Sequence, residues 1–220
     1  MLKTMLRGSW EIMLRPSVVN FEDHERNALG WALLYVALGA LITALIGWLA
    51  FPIQQPFLER QYTSLSDEFA RVSADVGQEL PFETLAAPED VEIPVIGNAL
   101  STLMGFLVYL GIIFVLGRAL GGTGKIGELA YDISLFWVPV SVVSAVISAF
   151  SIGLFSCLTA PVIIFVTAYG FYLTFLSVQA GMNLLPNKAL ILILIPALLW
   201  LFIICVVVLL FAAVAAQGLA

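Results

Sequence analysis

The chain has 220 residues, of which 61% are hydrophobic and only 11% charged, with a mean hydropathy of +1.05. An ordinary soluble domain carries about 25% charged residues, so this composition excludes a water-soluble enzyme and points to an integral membrane protein. The net charge of −6 is unevenly spread: most of it falls in one segment between the first two apolar runs.

In the first fifteen residues Lys3, Arg7, Glu11 and Arg15 recur every four positions on one helical face. Leu2, Met5, Leu6, Trp10, Met13 and Leu14 take the other, the pattern of an interfacial helix. Pro16 ends it. The helix reads first as an anchor that stabilises the first span; Lys3, Arg7, Trp10 and Arg15 are candidate contacts for lipid or a partner protein. His24, the single histidine, stands beside Glu22, Asp23 and Glu25. Neighbouring positions on a helix diverge, whereas metal ligands need convergent spacing, so no metal site is expected; Asp23 reads as an N-cap for the first span.

Charge-free or nearly charge-free apolar stretches follow at 28–51, 95–117, 129–150, 152–178 and 189–216. Each reaches the roughly 20 residues that a helix needs to cross about 30 Å of hydrocarbon. The expected fold is thus an all-α polytopic bundle of about five spans. The first stretch is too long for a signal peptide and remains as an anchor. Spans three and four are separated only by Ser151, Gly153 and Ser156, so their turn is tight, with a re-entrant arrangement as the competing reading.

Basic residues set the orientation. Lys3, Arg7, Arg15, Arg26, Arg118, Lys125 and Lys188, seven of the nine, share one side if the count is five. That places residues 1–27, 118–128 and 179–188 in the cytoplasm, and the C-terminus outside. The segment 52–94 holds nine carboxylates against Arg60 and Arg71, a net −7 on the outer side. Within it Leu58, Tyr62, Leu65, Phe69, Val72 and Val76 make one apolar stripe, so a separate helix near 56–76 is expected. Leu58, Tyr62, Leu65 and Phe69 are candidate lipid or partner contacts: the stripe suits the protein's own spans, the outer leaflet or a docking partner alike. From Gly77 through Pro81, Pro88 and Pro94 the chain reads as extended linker.

Inside the spans ionisable groups are scarce. Asp132 begins the third span near Glu128; an interfacial ion pair of Asp132 with Lys125 or Arg118 is the simplest reading, with a functional acid at a cavity mouth as the alternative. Ser141, Ser144, Ser148 and Ser151 form a small-residue seam suited to close helix packing. Pro139, Pro161 and Pro196 free backbone carbonyls that neighbours or a polar cavity must satisfy, and Tyr109, Tyr131, Tyr169 and Tyr172 could point into such a space. Cys157 and Cys205 fall within membrane stretches, and no disulfide is expected.

Gly121-Gly122-Thr123-Gly124-Lys125 superficially suggests a phosphate loop. Ala119 and Ile126 stand where a Walker motif needs Gly and a hydroxyl, so no nucleotide is expected; the glycines make a tight turn that sets Lys125 against lipid. No nucleophile elbow, Cys–His pair or His cluster is present. The expectations are no catalytic residue, no cofactor and no nucleic acid. The expected partners are membrane lipids and a protein or a second copy of this chain within the membrane.

With these elements placed, the chain resembles the Yip domain family of membrane proteins, named for interaction with small GTPases of the Ypt and Rab type. The resemblance is carried by Trp10 with Arg15-Pro16, the long first outer segment, Gly121 to Lys125, Pro139, Tyr169, and Asn187-Lys188-Ala189. It implies five spans and, for bacterial members in the inner membrane, an architecture more than an activity; a eukaryotic member would sit in endomembranes. Eukaryotic relatives are associated with vesicle traffic and GTPase binding and usually carry a longer N-terminal region. Here that region is about 27 residues, and the Asp-Leu-Tyr-Gly-Pro type of segment is missing. The function expected is a non-enzymatic scaffold or accessory subunit, with a small transporter or channel around the proline-broken spans as the alternative.

Overall fold

The computed structural model describes residues 1–76, 95–153 and 155–217, with some side chains within 65–76 and 197–217 outside the description. Among the described residues seven helices follow in order: α1 (Leu2–Leu14), α2 (Val18–His24), α3 (Leu29–Val76), α4 (Val95–Ala119), α5 (Ile126–Ala149), α6 (Phe155–Met182) and α7 (Pro186–Gln217). The protein is all-α, a helical membrane bundle. Among the described residues four helices, α3 to α6, are long and apolar enough to cross a bilayer. The fifth expected span falls in α7, of which Pro186–Pro196 is an apolar helix by its described residues. The expected linker with Pro81, Pro88 and Pro94 lies outside the described residues.

Two compact units divide the chain, one of residues 1–50 and 93–195, the other of residues 51–92 and 196–220. In the first, α5 is the central helix. Its first half, Leu129 to Phe136, is buried on every side. Beyond Val138 its residues become half-buried or exposed. The second half of α6, from Leu173 to Met182, is enclosed in the same way. Long exposed apolar rows such as Ile96, Val108 and Val115 on α4 and Leu158, Ile164 and Phe165 on α6 are what lipid solvates; water would not tolerate them. Ala40 and Ala44 of α3 meet Ala99 of α4, small side chains that let two helices approach closely.

The second unit contains the continuation of α3 and of α7. Here the structure corrects two expectations. A separate helix near 56–76 was expected after a break at Pro52, yet α3 runs unbroken to Val76 through Pro52 and Pro56. The two prolines are four apart, so they strip partners only from the carbonyls of Trp48 and Pro52 on one helix face. Arg60 lies over the Phe57 ring at 5.9 Å, and Thr63, Ser64 and Ser66 each donate to a carbonyl one turn back.

Asp23 was expected to cap the first span, but it lies within α2, whose N-cap is Ser17, its hydroxyl accepting from Asn20 N–H at 3.1 Å. The physical reason is Pro16. It stops α1, and the Ser that follows is the better-placed cap for a new short helix.

Candidate functional site

The polar chemistry of the first unit gathers at one end of the bundle, where the N-terminus, the α4–α5 loop and the α6–α7 turn meet. α1 and α2 double back on each other there. Gly8 faces the His24 ring so closely that a Cβ would stand 2.9 Å from Cδ2. His24 Nε2 is 3.1 Å from Glu11 Oε2, and Arg26 Nη1 lies 3.6 Å from the Met1 sulfur. Arg7 Nε donates to Glu11 Oε1 at 2.9 Å. That bond, first among several influences, holds the exposed Glu11 carboxyl below its ordinary value.

This hairpin does not float on the surface. The Ser9 hydroxyl and Tyr35 hydroxyl of α3 are 2.9 Å apart, the Phe21 ring meets Phe136 of α5 edge-on at 6.3 Å, and the Tyr169 hydroxyl of α6 donates to the Met13 carbonyl at 2.6 Å. The broad apolar face read from the sequence therefore splits in two. Met5 and Ile12, with Gly8 and Ser9, are buried against the spans. Leu6, Trp10 and Leu14, at 59%, 68% and 61% exposure, form an outward ridge beside exposed Lys3, Arg7 and Arg15.

The Gly-rich loop packs on the end of α6. Thr123 N–H donates to the Met182 carbonyl at 3.0 Å, and a Cβ on Gly124 would fall onto the Gly181 carbonyl. Gly121, with φ at 90°, takes a left-handed conformation that glycine adopts without strain. Lys188 Nζ donates to the carbonyl of Leu120, the residue after α4, at 2.8 Å, a cation at the carbonyl end of that helix. Lys125 stays exposed.

Asp132 departs most sharply from expectation. It is not brought to Lys125 or Arg118. Lys125 Nζ lies 3.4 Å from Glu128 Oε1, while Arg118 donates to the Gly122 carbonyl at 3.3 Å and lies over the Phe114 ring. Asp132 is fully buried, and neither carboxyl oxygen has a hydrogen-bond partner among the described residues. The reason is depth: six residues into α5, about 9 Å along the helix, it lies in the buried stretch against Gly181, where a Cβ would stand 2.9 Å from Oδ2. Glu25, between α2 and α3, sits near this end. Burial, then Glu128 and Glu22, push its carboxyl above the ordinary value.

A cavity of about 320 Å³ opens between α4, α5 and α6, lined among others by Tyr109, Trp137, Ser141, Ser144, Thr167 and Thr174. The Tyr109 hydroxyl pairs with Thr174 Oγ1 at 2.8 Å. Trp137 packs against the Tyr109 and Phe106 rings at 5.1 and 5.7 Å, and its buried Nε1 has no partner among the described residues. Two residues of the expected serine seam thus line a cavity. Ser151 instead pairs with Thr159 at 2.7 Å.

Leu58 is exposed and Tyr62 half-buried in the second unit; the side chains of Leu65 and Phe69 lie outside the described residues. Tyr131 is buried and Tyr172 exposed. Cys157 and Cys205 are free and exposed. Among the described residues no group of His, Cys, Asp or Glu could hold a metal ion. Sequence reasoning missed Ser9, Tyr35, Phe21 and Met13 as docking residues. A faint signal was available in Gly8-Ser9, two small residues interrupting an otherwise bulky α1.

No curated relative and no solved structure matches the chain. A family model described as the Yip1 domain matches residues 10–210, which includes the docked end of α1 at Trp10, the Gly-rich loop, Asp132 and the cavity between α4, α5 and α6. The chain is an integral membrane protein that belongs to the Yip1 domain family.

Proposed function

We propose that this protein is a non-enzymatic membrane scaffold or accessory subunit, with five spans, its basic end in the cytoplasm and its C-terminus outside. One observation carries the reading. α1 is anchored through Met5, Ser9 and Ile12, yet it turns a ridge of Leu6, Trp10 and Leu14 outward beside Lys3, Arg7 and Arg15. A helix already held by its own spans does not need that ridge for folding. An apolar row flanked by cations suits contact with lipid or a partner, and an exposed Trp is the side chain most enriched where partners bind tightly.

The test is purification from native membranes in mild detergent, with wild type and the double variant Leu6→Ala/Trp10→Ala compared by mass spectrometry. A protein that copurifies reproducibly with wild type and is lost from the variant supports the scaffold. A chain that migrates alone in both contradicts it. A second reading, a small transporter or channel, is favoured by the hydroxyl-lined cavity and the buried Asp132. Substrate-free proteoliposomes loaded with a pH-sensitive dye separate the two, since a scaffold leaves an imposed proton gradient intact.

A further inference from the structure

The hairpin of α1 and α2 stands far up the bundle. Heights follow from counting residues along the spans it touches, at about 1.5 Å each. Tyr35 is six residues into α3, so Ser9 sits about 9 Å above the start of that helix. Phe136 is ten residues into α5, which sets Phe21 about 15 Å up. Tyr169 is thirteen residues from the end of α6 and fourteen from its start, so the Met13 carbonyl lies about 20 Å up, near the middle of that helix. Arg15, two residues beyond Met13, is exposed near that height, and Glu22 and Asp23, on the descent from Phe21 to the His24 that faces Gly8, are exposed about 8–15 Å up.

Elsewhere the same end of the bundle is greasy almost to its tip. On α4, Val115, four residues and about 6 Å from the end, is 65% exposed, and Ile112 and Val108 continue the row. On α7, Leu190 and Ile191 are exposed immediately after Lys188. Lifting this whole end out of the hydrocarbon would put those rows in water, whereas submerging it would put Arg15, Glu22 and Asp23 in lipid. Charged side chains in hydrocarbon are relieved by water defects and local thinning of the bilayer, and each Å of mismatch is penalised far less than each submerged charge.

We infer that the outer flank of the α1–α2 hairpin is a binding surface for phospholipid headgroups, drawn with their water toward mid-span height. The leaflet on this side is thinned beside α1 and α2 and keeps its full depth beside α4 and the start of α7. The protein therefore imposes a lopsided boundary on one leaflet. The inference rests on the chain crossing a membrane and is independent of whether a protein partner exists.

The test uses the full chain with Cys157→Ala and Cys205→Ala, reconstituted in vesicles of phosphatidylcholine and phosphatidylglycerol. Single cysteines from Arg15→Cys, Glu22→Cys, Ile112→Cys and Val115→Cys carry a nitroxide, and its collisions with a water-soluble nickel chelate and with oxygen are compared. Labels at 15 and 22 are expected to favour the nickel chelate, and labels at 112 and 115 to favour oxygen, each by several-fold. Oxygen preference at 15 and 22 would overturn the inference. So would nickel preference at 112 and 115, because the bundle end would then stand clear of the membrane, or silence to both reagents at 15 and 22, because protein would then cover the hairpin. Hydrogen exchange on the unsubstituted protein in the same vesicles gives an independent reading. The amides of Ser17, Val18 and Val19 are expected to exchange within seconds, and protection of all three for hours would contradict headgroup access.

Discussion

Tyr169→Phe isolates the bond that ties α1 to the middle of α6. The hydroxyl donates to the Met13 carbonyl at 2.6 Å, one of the last carbonyls of α1 and so without a partner inside that helix. Phenylalanine preserves the ring, which stacks on Phe165 and tilts against Tyr172, and removes only the donor. Hydrogen bonds between helices within membranes average about 0.6 kcal/mol and reach about 1.7. With tenfold for each 1.4 kcal/mol, the last turn of α1 should open about three- to twenty-fold more often. Hydrogen exchange followed by mass spectrometry reads this as faster exchange over residues 10–14, with α5 unchanged. Unaltered exchange in α1, or equal acceleration in α5, would refute the idea that this bond locally pins the hairpin.

Gly124→Ala pushes a methyl onto the Gly181 carbonyl, backbone against backbone, and should destabilise by about 1–3 kcal/mol or more. A thermal midpoint in detergent equal to wild type would show that the loop is not packed as described. Asp132→Asn keeps the shape of a carboxyl that has no partner among the described residues and removes any buried charge; its stability should stay within about 1 kcal/mol of wild type, and a loss above about 3 kcal/mol would reveal an undetected cation or donor. The Glu25 carboxyl lies above its ordinary value of 4.5, so the folded state holds that proton more tightly than the unfolded chain. Stability should therefore fall as pH rises from about 4.5 through the raised value, and Glu25→Gln should flatten that slope. Glu11, shifted the opposite way, acts below 4.5 and leaves this window clear.

The four long apolar helices among the described residues were legible because charge-free apolar runs of more than 20 residues have few alternatives. What each apolar face touches was not. Met5 and Leu6 are equally apolar, yet Met5 packs on protein and Leu6 faces outward; in a membrane protein both environments are oily, so hydrophobicity cannot separate them. The N-terminal amphipathic helix reads from the sequence as an interfacial anchor for the first span, whereas its contacts with α5 and α6 have no signature in its apolar pattern. Asp132 was misassigned for a related reason. Two helical turns return Asp132 to nearly the face of Lys125, but the rise of about 10 Å between them carries it into the buried part of the bundle, and Glu128, closer in sequence, takes the lysine. The continuity of α3 was hidden by Pro52 and Pro56, whose local preference for a break does not prevail. Yip domain membership was legible from short motifs and is matched over residues 10–210.

The N-terminal hairpin is part of the membrane bundle, and one cross-link tests that most directly. In native membranes, on the Cys157→Ala/Cys205→Ala background, the pair Phe21→Cys with Phe136→Cys replaces two rings 6.3 Å apart. A bifunctional thiol reagent with a short spacer, needed because side chains that meet at their tips stand further apart at Cβ than the roughly 4 Å of a direct disulfide, should join them within one chain and shift its mobility after proteolysis between the two positions. Failure of that pair, together with failure of Ser9→Cys with Tyr35→Cys across the 2.9 Å hydroxyl contact, would contradict the account and leave α1 and α2 detached from the spans.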